Sequence, residues 1–165
     1  MMALLTGLLL ITTLLCALVT GFIFTYAVVV MPGLAKLDDK DFIRAFQVTD
    51  GIIQDNQPLF MLVWVGSIIS VLCTMVTAFI TLSGVESWLI IAIGAIYLVG
   101  VQGITISIHL PLNNHLQRLD IDDLDAASLR DERVMFESRW VYFNRIRTAI
   151  AFSVSLILLI IIAMR

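Results

Sequence analysis

Two sets of polar residues lie at the edges of long apolar stretches, where polar side chains are costly and therefore informative. One set recurs at helical spacing, i, i+3, i+7 and i+11: Gln102, Thr105, His109 and Asn113. The other recurs at i, i+3, i+7 and i+10: Glu137, Trp140, Asn144 and Arg147. Amide, imidazole, indole and guanidinium groups all hydrogen-bond ligands, and an imidazole also exchanges protons near neutral pH. The spacing predicts two polar stripes, each along one face of a helix, that are suited to line a pocket.

The composition is that of a membrane protein. Of the 165 residues, 60% are hydrophobic and 14% are charged, and the mean hydropathy is +1.01. Soluble domains carry roughly 25% charged residues, so the chain falls outside that class. The net charge of -3 and the lack of a basic tract argue against a nucleic-acid partner. The length predicts one domain, residues 1–165.

Four apolar stretches are long enough to cross a bilayer, whose core of about 30 Å requires about 20 helical residues. They are residues 3–30, 58–82, 87–110 and 145–164. The first stretch has no positive leading segment and is too long for a signal peptide, so we expect a retained helix. The predicted fold class is all-α, an integral membrane four-helix bundle.

The two long connections carry helical patterns of their own. In residues 31–57, Met31-Pro32-Gly33 predicts the end of the first helix, and Asp38 is a candidate N-cap. Apolar residues then predict one face of a short amphipathic helix: Phe42, Ala45, Phe46, Thr49, Ile52 and Ile53. The polar residues are expected away from that face: Lys40, Arg44, Gln47 and Asp50. In residues 111–144 the pattern turns helical near Ser128, which predicts a fourth helix that extends beyond the bilayer.

The distribution of cations predicts the orientation. Four spans alternate in direction, so both long connections lie on one side of the membrane. Most cations lie in these connections or at their boundary: Lys36, Lys40, Arg44, Arg118, Arg130, Arg133, Arg139, Arg145 and Arg147. The opposite side has only Arg165 and the amino terminus. The positive-inside rule therefore predicts cytoplasmic connections and external termini, in a plasma membrane such as the bacterial inner membrane.

This topology brings the two polar stripes to the same membrane face, where Met31 ends the first span. We therefore expect one pocket lined by both stripes and by Met31. Separate structural roles are also open: Arg145 and Arg147 could reach the headgroups, Trp140 could belong to an aromatic belt, and Asn113 could cap a helix. The side-chain amides of Asn113 and Asn144 and a histidine at one membrane level favour a shared pocket over these separate roles.

The sequence does not favour a metal or a cofactor. His109 and His115 are six residues apart, on different faces of a helix, and no carboxylate stands at a ligand spacing beside them. A haem between His109 and Met31 remains conceivable. The expected partners are membrane lipid and a small hydrophobic ligand.

Small residues recur every fourth position on the first two spans, which lets helices approach closely. The stripes are Thr13, Ala17, Gly21 and Thr25, and then Gly66, Ser70, Thr74 and Ala78. They could serve the bundle, an oligomer or both.

The order of the motifs resembles a membrane family that includes the fungal anthrone oxygenases. The resemblance spans most of the chain and is carried by these segments: Val30-Met31-Pro32-Gly33-Leu34, Phe42 to Phe46-Gln47, Asn56-Gln57-Pro58 with Trp64-Gly66, Pro111-Leu112-Asn113-Asn114, and Phe136-Glu137 with Trp140, Asn144 and Arg147. At His109 the chain departs from the family, many of whose members have Asn or another polar residue there.

The resemblance implies a cofactor-free oxygenase that converts an activated polyphenolic methylene into a quinone carbonyl. His109 would then be the base, and Asn113, Asn144 and Arg147 would stabilise the resulting anion. The substrate would contact the other predicted pocket residues: Met31, Gln102, Thr105, Glu137 and Trp140. A non-enzymatic membrane protein that binds a lipid, a quinone or another small hydrophobic molecule is the alternative.

Overall fold

The computed structural model describes residues 2–164, and this part of the chain is helical without a β-strand. Five continuous helices form it, and we number them α1 to α5 in chain order. Four are long and apolar enough to cross a membrane: α1 (Met2–Leu34), α3 (Pro58–Thr81), α4 (Val85–Gln117) and α5 (Ala126–Ala163). The fifth, α2 (Asp39–Gln54), lies in the first connection. The predicted fold class is confirmed. Arg165, which was used to predict the orientation, lies outside the described residues.

The first helix is the centre of the bundle, because α1 packs against both α3 and α5. The α3 helix packs along the first part of α4, and α4 packs against α5. Hydroxyl groups join the spans across the apolar core: Thr12 bonds Thr74 at 2.8 Å, and Thr20 bonds Ser155 at 3.1 Å. The small-residue stripe of α3 is turned into this core, whereas Ala17, Gly21 and Thr25 of the α1 stripe are exposed.

Neither Pro32 nor Pro111 ends its helix. The Met31-Pro32-Gly33 segment was expected to terminate α1, but the helix includes this segment and ends at Leu34. A π-helical turn precedes each proline. The N–H of Met31 donates to the carbonyl of Tyr26, and that of Leu110 donates to Thr105, five residues back in both cases. A proline lacks an N–H and its ring meets the carbonyl four residues back, and the wider turn relieves this conflict. The third apolar stretch, expected to end at residue 110, therefore continues as helix to Gln117.

The amphipathic α2 helix begins where its capping residue predicts, since Asp38 accepts a hydrogen bond from the N–H of Asp41 at 2.8 Å. Phe42 and Phe46 are buried against α4 and α5. Contrary to expectation, Gln47 and Asp50 also face the bundle: Asp50 is 4% exposed, and Gln47 donates to two carbonyl groups of the chain that ends α4. Asp50 stands two helical turns after Phe42 and one after Phe46, and so shares their face.

The last helix begins at Ala126, with Asp125 as its N-cap, and runs unbroken for 38 residues. At the α-helical rise it is about 57 Å long, and about 30 Å suffices to cross the hydrocarbon core. Its first part therefore stands outside the bilayer and packs against α2.

Arg133 of this first part joins α1, α2 and α5. Its guanidinium donates to the carbonyls of Ala35 at 3.0 Å and Leu37 at 2.8 Å. It also pairs with the carboxylates of Asp39 and Glu137, both at 3.0 Å. The ring of Phe42 lies 4.5 Å from the guanidinium carbon and completes the clamp.

We predict that Arg133→Ala lowers the free energy of unfolding by about 2 kcal/mol, because hydrogen bonds to a charged group contribute about 1.5–3 kcal/mol. Arg133→Lys should recover only part of the loss, since an ammonium group cannot reproduce the planar fork. Unfolding of the purified protein in detergent measures the change. The exposed Arg139→Ala, on the same helix, is the control, and equal stabilities of the two alanine variants would contradict the role of the clamp.

Candidate ligand-binding cavity

A cavity of about 390 Å³ opens among the five helices, near the ends from which the two long connections leave. Its volume lies in the range of small-molecule sites, roughly 300–1,000 Å³. Six aromatic side chains form much of its wall: Phe22, Tyr26, Phe46, Phe60, Trp64 and Trp140. Polar side chains interrupt this wall: Asp50, Gln54, Asn56, Gln102, Thr105, His109, Asn113, Asn114 and Arg147.

The π-helical turns lie at the level of this cavity. Tyr26 belongs to the turn Tyr26–Val30, Gln102 to Leu98–Gly103, and both Thr105 and His109 to Thr105–His109. Each π-turn adds one residue to a turn of the helix and so rotates the side chains that follow it about the helix axis. Such turns occur frequently at functional sites.

Arg147 is a buried cation without an acidic partner. It is 4% exposed; its Nε donates to Asn144 Oδ1 and one Nη donates to Thr105 Oγ1, both at 2.9 Å. Within residues 2–164 no carboxylate forms a salt bridge with it. The second Nη makes no hydrogen bond to the described chain. A buried charge is normally paired, so the cavity is prepared for an anion or an electron-rich oxygen.

His109 lines the same cavity, and one of its ring nitrogens is buried and unpaired. The residue is 1% exposed, and its Nδ1 lies 3.5 Å from the carbonyl oxygen of Ile104. A carbonyl can only accept, so a hydrogen bond at this contact requires the tautomer with the proton on Nδ1, in which Nε2 carries the lone pair. Nε2 is buried and has no hydrogen-bond partner within residues 2–164. Trp140 fixes the ring plane by an edge-to-face contact at 5.0 Å.

Gln102 presents a second unpaired acceptor. Its Nε2 donates to the hydroxyl of Tyr97 at 3.2 Å, and this hydroxyl donates to Ser67 at 2.9 Å. These bonds fix the amide so that Oε1 is left buried without a partner within the described chain. A ligand hydroxyl could donate to it.

A chain of hydrogen bonds joins Asp50 to Trp140. Asp50 accepts from Asn113 Nδ2 and from Gln54, both at 2.8 Å, and from Gln117 at 3.4 Å. Asn113 Oδ1 accepts from the indole N–H of Trp140 at 2.9 Å. Because an indole N–H only donates and a carboxylate only accepts, the two partners permit a single orientation of the Asn113 amide. Burial raises the pKa of Asp50, and the three amide bonds oppose that rise.

The aromatic wall is suited to a flat ligand. Phe60 and Trp64 are stacked at 5.3 Å, Phe22 meets Phe60 edge-on at 5.1 Å, and Tyr26 lies 5.6 Å from Trp140. These rings hold one another in place, which lowers the cost of ordering a planar guest between them.

The structure brings most of the predicted site residues together. Six of them line the cavity: Gln102, Thr105, His109, Asn113, Trp140 and Arg147. Asn144 lies behind Arg147, where its Nδ2 donates to the carbonyl of Ile23 at 3.1 Å and its Oδ1 holds the guanidinium. Met31 and Glu137 are not among the lining residues: Met31 packs with Phe42 and Phe46, and Glu137 belongs to the Arg133 clamp.

Several lining residues were not predicted. Asp50 was assigned to the polar side of α2, although its spacing from Phe42 and Phe46 would have placed it on the buried face. Phe22, Tyr26, Phe60 and Trp64 lie within apolar spans, where nothing in the sequence separates a cavity wall from a core or a lipid-facing surface. No cluster of three or more His, Cys, Asp or Glu side chains within residues 2–164 could hold a metal ion.

Comparison with known proteins identifies the family. The sequence model of a family described as anthrone oxygenase matches residues 59–157, which is more than half of the chain. No curated protein and no solved structure matches the chain. The matched segment contains α3, the π-helical turns of α4, and the part of α5 that carries Trp140, Asn144 and Arg147. This four-span membrane protein belongs to the anthrone oxygenase family.

Proposed function

We propose that the protein is a cofactor-independent oxygenase that acts on a planar, hydrophobic phenolic compound. The observation that carries the proposal is that one cavity is lined by His109, whose Nε2 has no hydrogen-bond partner in the described chain, and by Arg147, a cation without an acidic partner there. A base and an anion-stabilising group are the two elements needed to activate a carbon acid toward oxygen. The family match supports the same chemistry.

Substrate binding uses the aromatic wall and the unpaired polar atoms. The rings of Phe60 and Trp64 face the flat faces of the substrate, and a phenolic hydroxyl donates to Gln102 Oε1. The free Nη of Arg147 donates to the oxygen conjugated with the reactive methylene. His109 Nε2 then faces the methylene hydrogen.

The reaction begins when His109 Nε2 removes a proton from this methylene. The electron pair of the broken C–H bond spreads onto the conjugated oxygen, and Arg147 stabilises the enolate charge there. Since the charge exists only after proton transfer, Arg147 binds the anion better than the neutral substrate, which is the condition for rate acceleration.

Molecular oxygen is the oxidant. The carbanion passes its electron pair to O₂, a C–O bond forms, and the peroxide oxygen takes the proton back from His109. His109 then removes the second hydrogen from the same carbon; the C=O bond forms as the O–O bond breaks, and hydroxide leaves with the recovered proton as water. One methylene and one O₂ give one carbonyl and one water, and both residues return to their starting states.

Asp50, Asn113 and Asn144 position the reacting groups in this mechanism. Asn144 holds the Arg147 Nε, and Asn113 holds the Trp140 indole against the imidazole of His109. Both amides are fully engaged with protein partners, so we assign them to orientation, and the anion contact to Arg147.

The alternative is a protein that binds a lipid, a quinone or a similar molecule without reaction. The mixed aromatic and polar wall that suits a phenolic substrate also suits such a ligand. A bound molecule that copurifies with the protein, together with no oxygen uptake across a panel of anthrones and related phenols, would establish this alternative.

We predict that His109→Ala lowers kcat for oxidation of 1,8-dihydroxyanthrone by about 10²–10⁴-fold, because general bases contribute about that factor. Oxygen uptake and quinone absorbance, corrected for spontaneous oxidation, provide the measurement. His115→Ala is the matched control, because His115 is exposed and pairs with Glu132 at 2.7 Å. Unchanged turnover in His109→Ala would refute the assignment of the base.

For Arg147→Lys we predict a loss of about 10²–10³-fold in kcat, comparable to removal of one anion-stabilising donor. The ammonium keeps the positive charge and cannot reproduce the guanidinium fork held by Asn144 and Thr105. Circular dichroism and size-exclusion chromatography establish that the variant is folded. Turnover equal to the parent would show that Arg147 has no part in the reaction.

Asp50→Asn should lower kcat about tenfold, since losing a charge-assisted hydrogen bond of about 1.5–3 kcal/mol frees the Asn113 amide to turn. KM should change little, because the rings of Phe60 and Trp64 that face the substrate are stacked on each other and do not belong to the Asp50–Asn113–Trp140 chain of hydrogen bonds. Asp122→Asn is the control: Asp122 binds Lys40 and Arg44 of α2 at the surface. If both variants behave alike, Asp50 merely attaches α2 to the bundle.

The orientation follows from the positive-inside rule, with the cavity end and both long connections in the cytoplasm and both termini outside. We predict that a reporter active only in the cytoplasm is inactive at the carboxyl terminus and active when inserted near Asp123, between α4 and α5. The reverse pattern of activities would invert the proposed topology. A bacterial inner membrane is the proposed location.

A further inference from the structure

The cavity reaches the side of the bundle, at a level where the helices are surrounded by lipid. Two of its lining residues, Ile106 and Leu110 of α4, are 62% and 44% exposed. Both lie in a helix long and apolar enough to cross the membrane. Their outer surfaces therefore face hydrocarbon, whereas their inner surfaces face the cavity.

Apolar lining residues of the cavity face one another across α3 and α4. These helices are joined by a tight turn at Gly84, and α3 packs along the first part of α4. Farther from the turn the cavity separates them, with Met61 and Ile68 on the α3 side and Ile106 and Leu110 on the α4 side. All four side chains of this gap are apolar.

The cavity has a second margin of different chemistry at the ends of the helices. Gln54, Asn56 and Asn114 line it there, and all three are exposed. Water and polar solutes are suited to that margin, and a hydrophobic molecule dissolved in the bilayer is suited to the lateral gap. Transfer of a planar hydrocarbon surface from lipid into an aromatic cavity does not require a passage through water.

A charged molecule is excluded from the lateral route because a charge is costly within the hydrocarbon core. The interior of the cavity nevertheless has an uncompensated cation in Arg147. The apolar route and the cation of Arg147 are compatible if the substrate enters as a neutral molecule and becomes an anion only after it is bound in the cavity.

We propose that the gap between α3 and α4 is a lateral portal that admits neutral, planar phenols from the bilayer and rejects permanently charged analogues. This inference rests on the proposed function for the identity of the guest and deepens it by defining the substrate class. The portal residues Ile106 and Leu110 select for charge and set the rate of access.

The test uses the full-length protein in liposomes and a guest that cannot react, neutral 9,10-anthraquinone, observed by quenching of tryptophan fluorescence. Ile106→Phe narrows the portal without adding a fluorophore. A narrowed passage raises the barrier for both directions, so association and dissociation should slow equally, by about tenfold, with Kd unchanged. An altered cavity wall would change Kd instead.

Two variants are matched controls. Val99→Phe adds the same bulk to a residue of α4 that is 74% exposed and does not line the cavity. Asn114→Phe adds it at the polar margin. Neither should change the association rate by more than about twofold if the guest passes through the lateral gap. The sulfonated analogue, anthraquinone-2-sulfonate, is excluded from the lateral route, so Ile106→Phe should leave its association rate unchanged.

Slow association in Asn114→Phe with a normal rate in Ile106→Phe would overturn the portal in favour of aqueous access. Equal effects of Ile106→Phe and Val99→Phe, a changed Kd in Ile106→Phe, or slower association of the sulfonate in Ile106→Phe would also overturn it. The binding rates are independent of turnover. Normal portal kinetics with no oxidation of 1,8-dihydroxyanthrone would therefore reject the oxygenase and retain the portal.

Discussion

The charge of Arg147 is the constraint around which the cavity end of the bundle is organised. A guanidinium buried at 4% exposure must be surrounded by acceptors, and the chain supplies two, from α4 and α5. Thr105 of α4 accepts directly, while Asn144 of α5 accepts and is itself held by a carbonyl of α1. Each of these acceptors is neutral. The spans are thus joined around a charge that they solvate only in part.

The π-helical turns make this arrangement possible. The Thr105–His109 turn brings both an acceptor for Arg147 and the imidazole of His109 to the cavity, and Pro111 directly follows it. The same combination recurs in α1, where Tyr26–Val30 precedes Pro32. In each helix the proline removes an N–H that the regular pattern would require, and the wide turn that accommodates it also re-aims the polar side chains.

Much of this site follows from the spacing of a few residues. The intervals between Trp140, Asn144 and Arg147 place them on one helical face, and a chain with four apolar spans must bring that face near His109 and Asn113. The π-turns were not predictable in this way, because a regular helix and a π-turn have the same apolar composition. Met31 was assigned to the pocket by its membrane level, which does not fix direction around a helix axis. Glu137 was assigned by the spacing of its stripe, which could not show its ion pair with Arg133.

Asp50 shows a different limit of prediction from the sequence. A carboxylate between Phe46 and Ile53 is read as exposed because burying it alone is unfavourable, and the three amides that make burial possible come from α2 itself and from α4. Two of these donors, Asn113 and Gln117, are more than sixty residues distant in the sequence. Only the tertiary structure joins them, so the spacing could place Asp50 on the buried face of α2 but could not show the donors that stabilise its charge there.

The energetic consequence of burying the cation of Arg147 differs between an oxygenase and a protein that only binds its ligand. A protein that only stores a neutral hydrophobic molecule gains at most a hydrogen bond from a buried guanidinium, whose desolvation is costly whether or not the guest is present. The cost is recovered only when a negative charge forms beside it, in a medium where such an attraction is much stronger than in water. In the proposed mechanism a neutral guest acquires that charge by losing a proton to His109 Nε2. Under that mechanism the electrostatics of the cavity favour the deprotonated state over the bound neutral state, which a catalyst requires and a carrier does not.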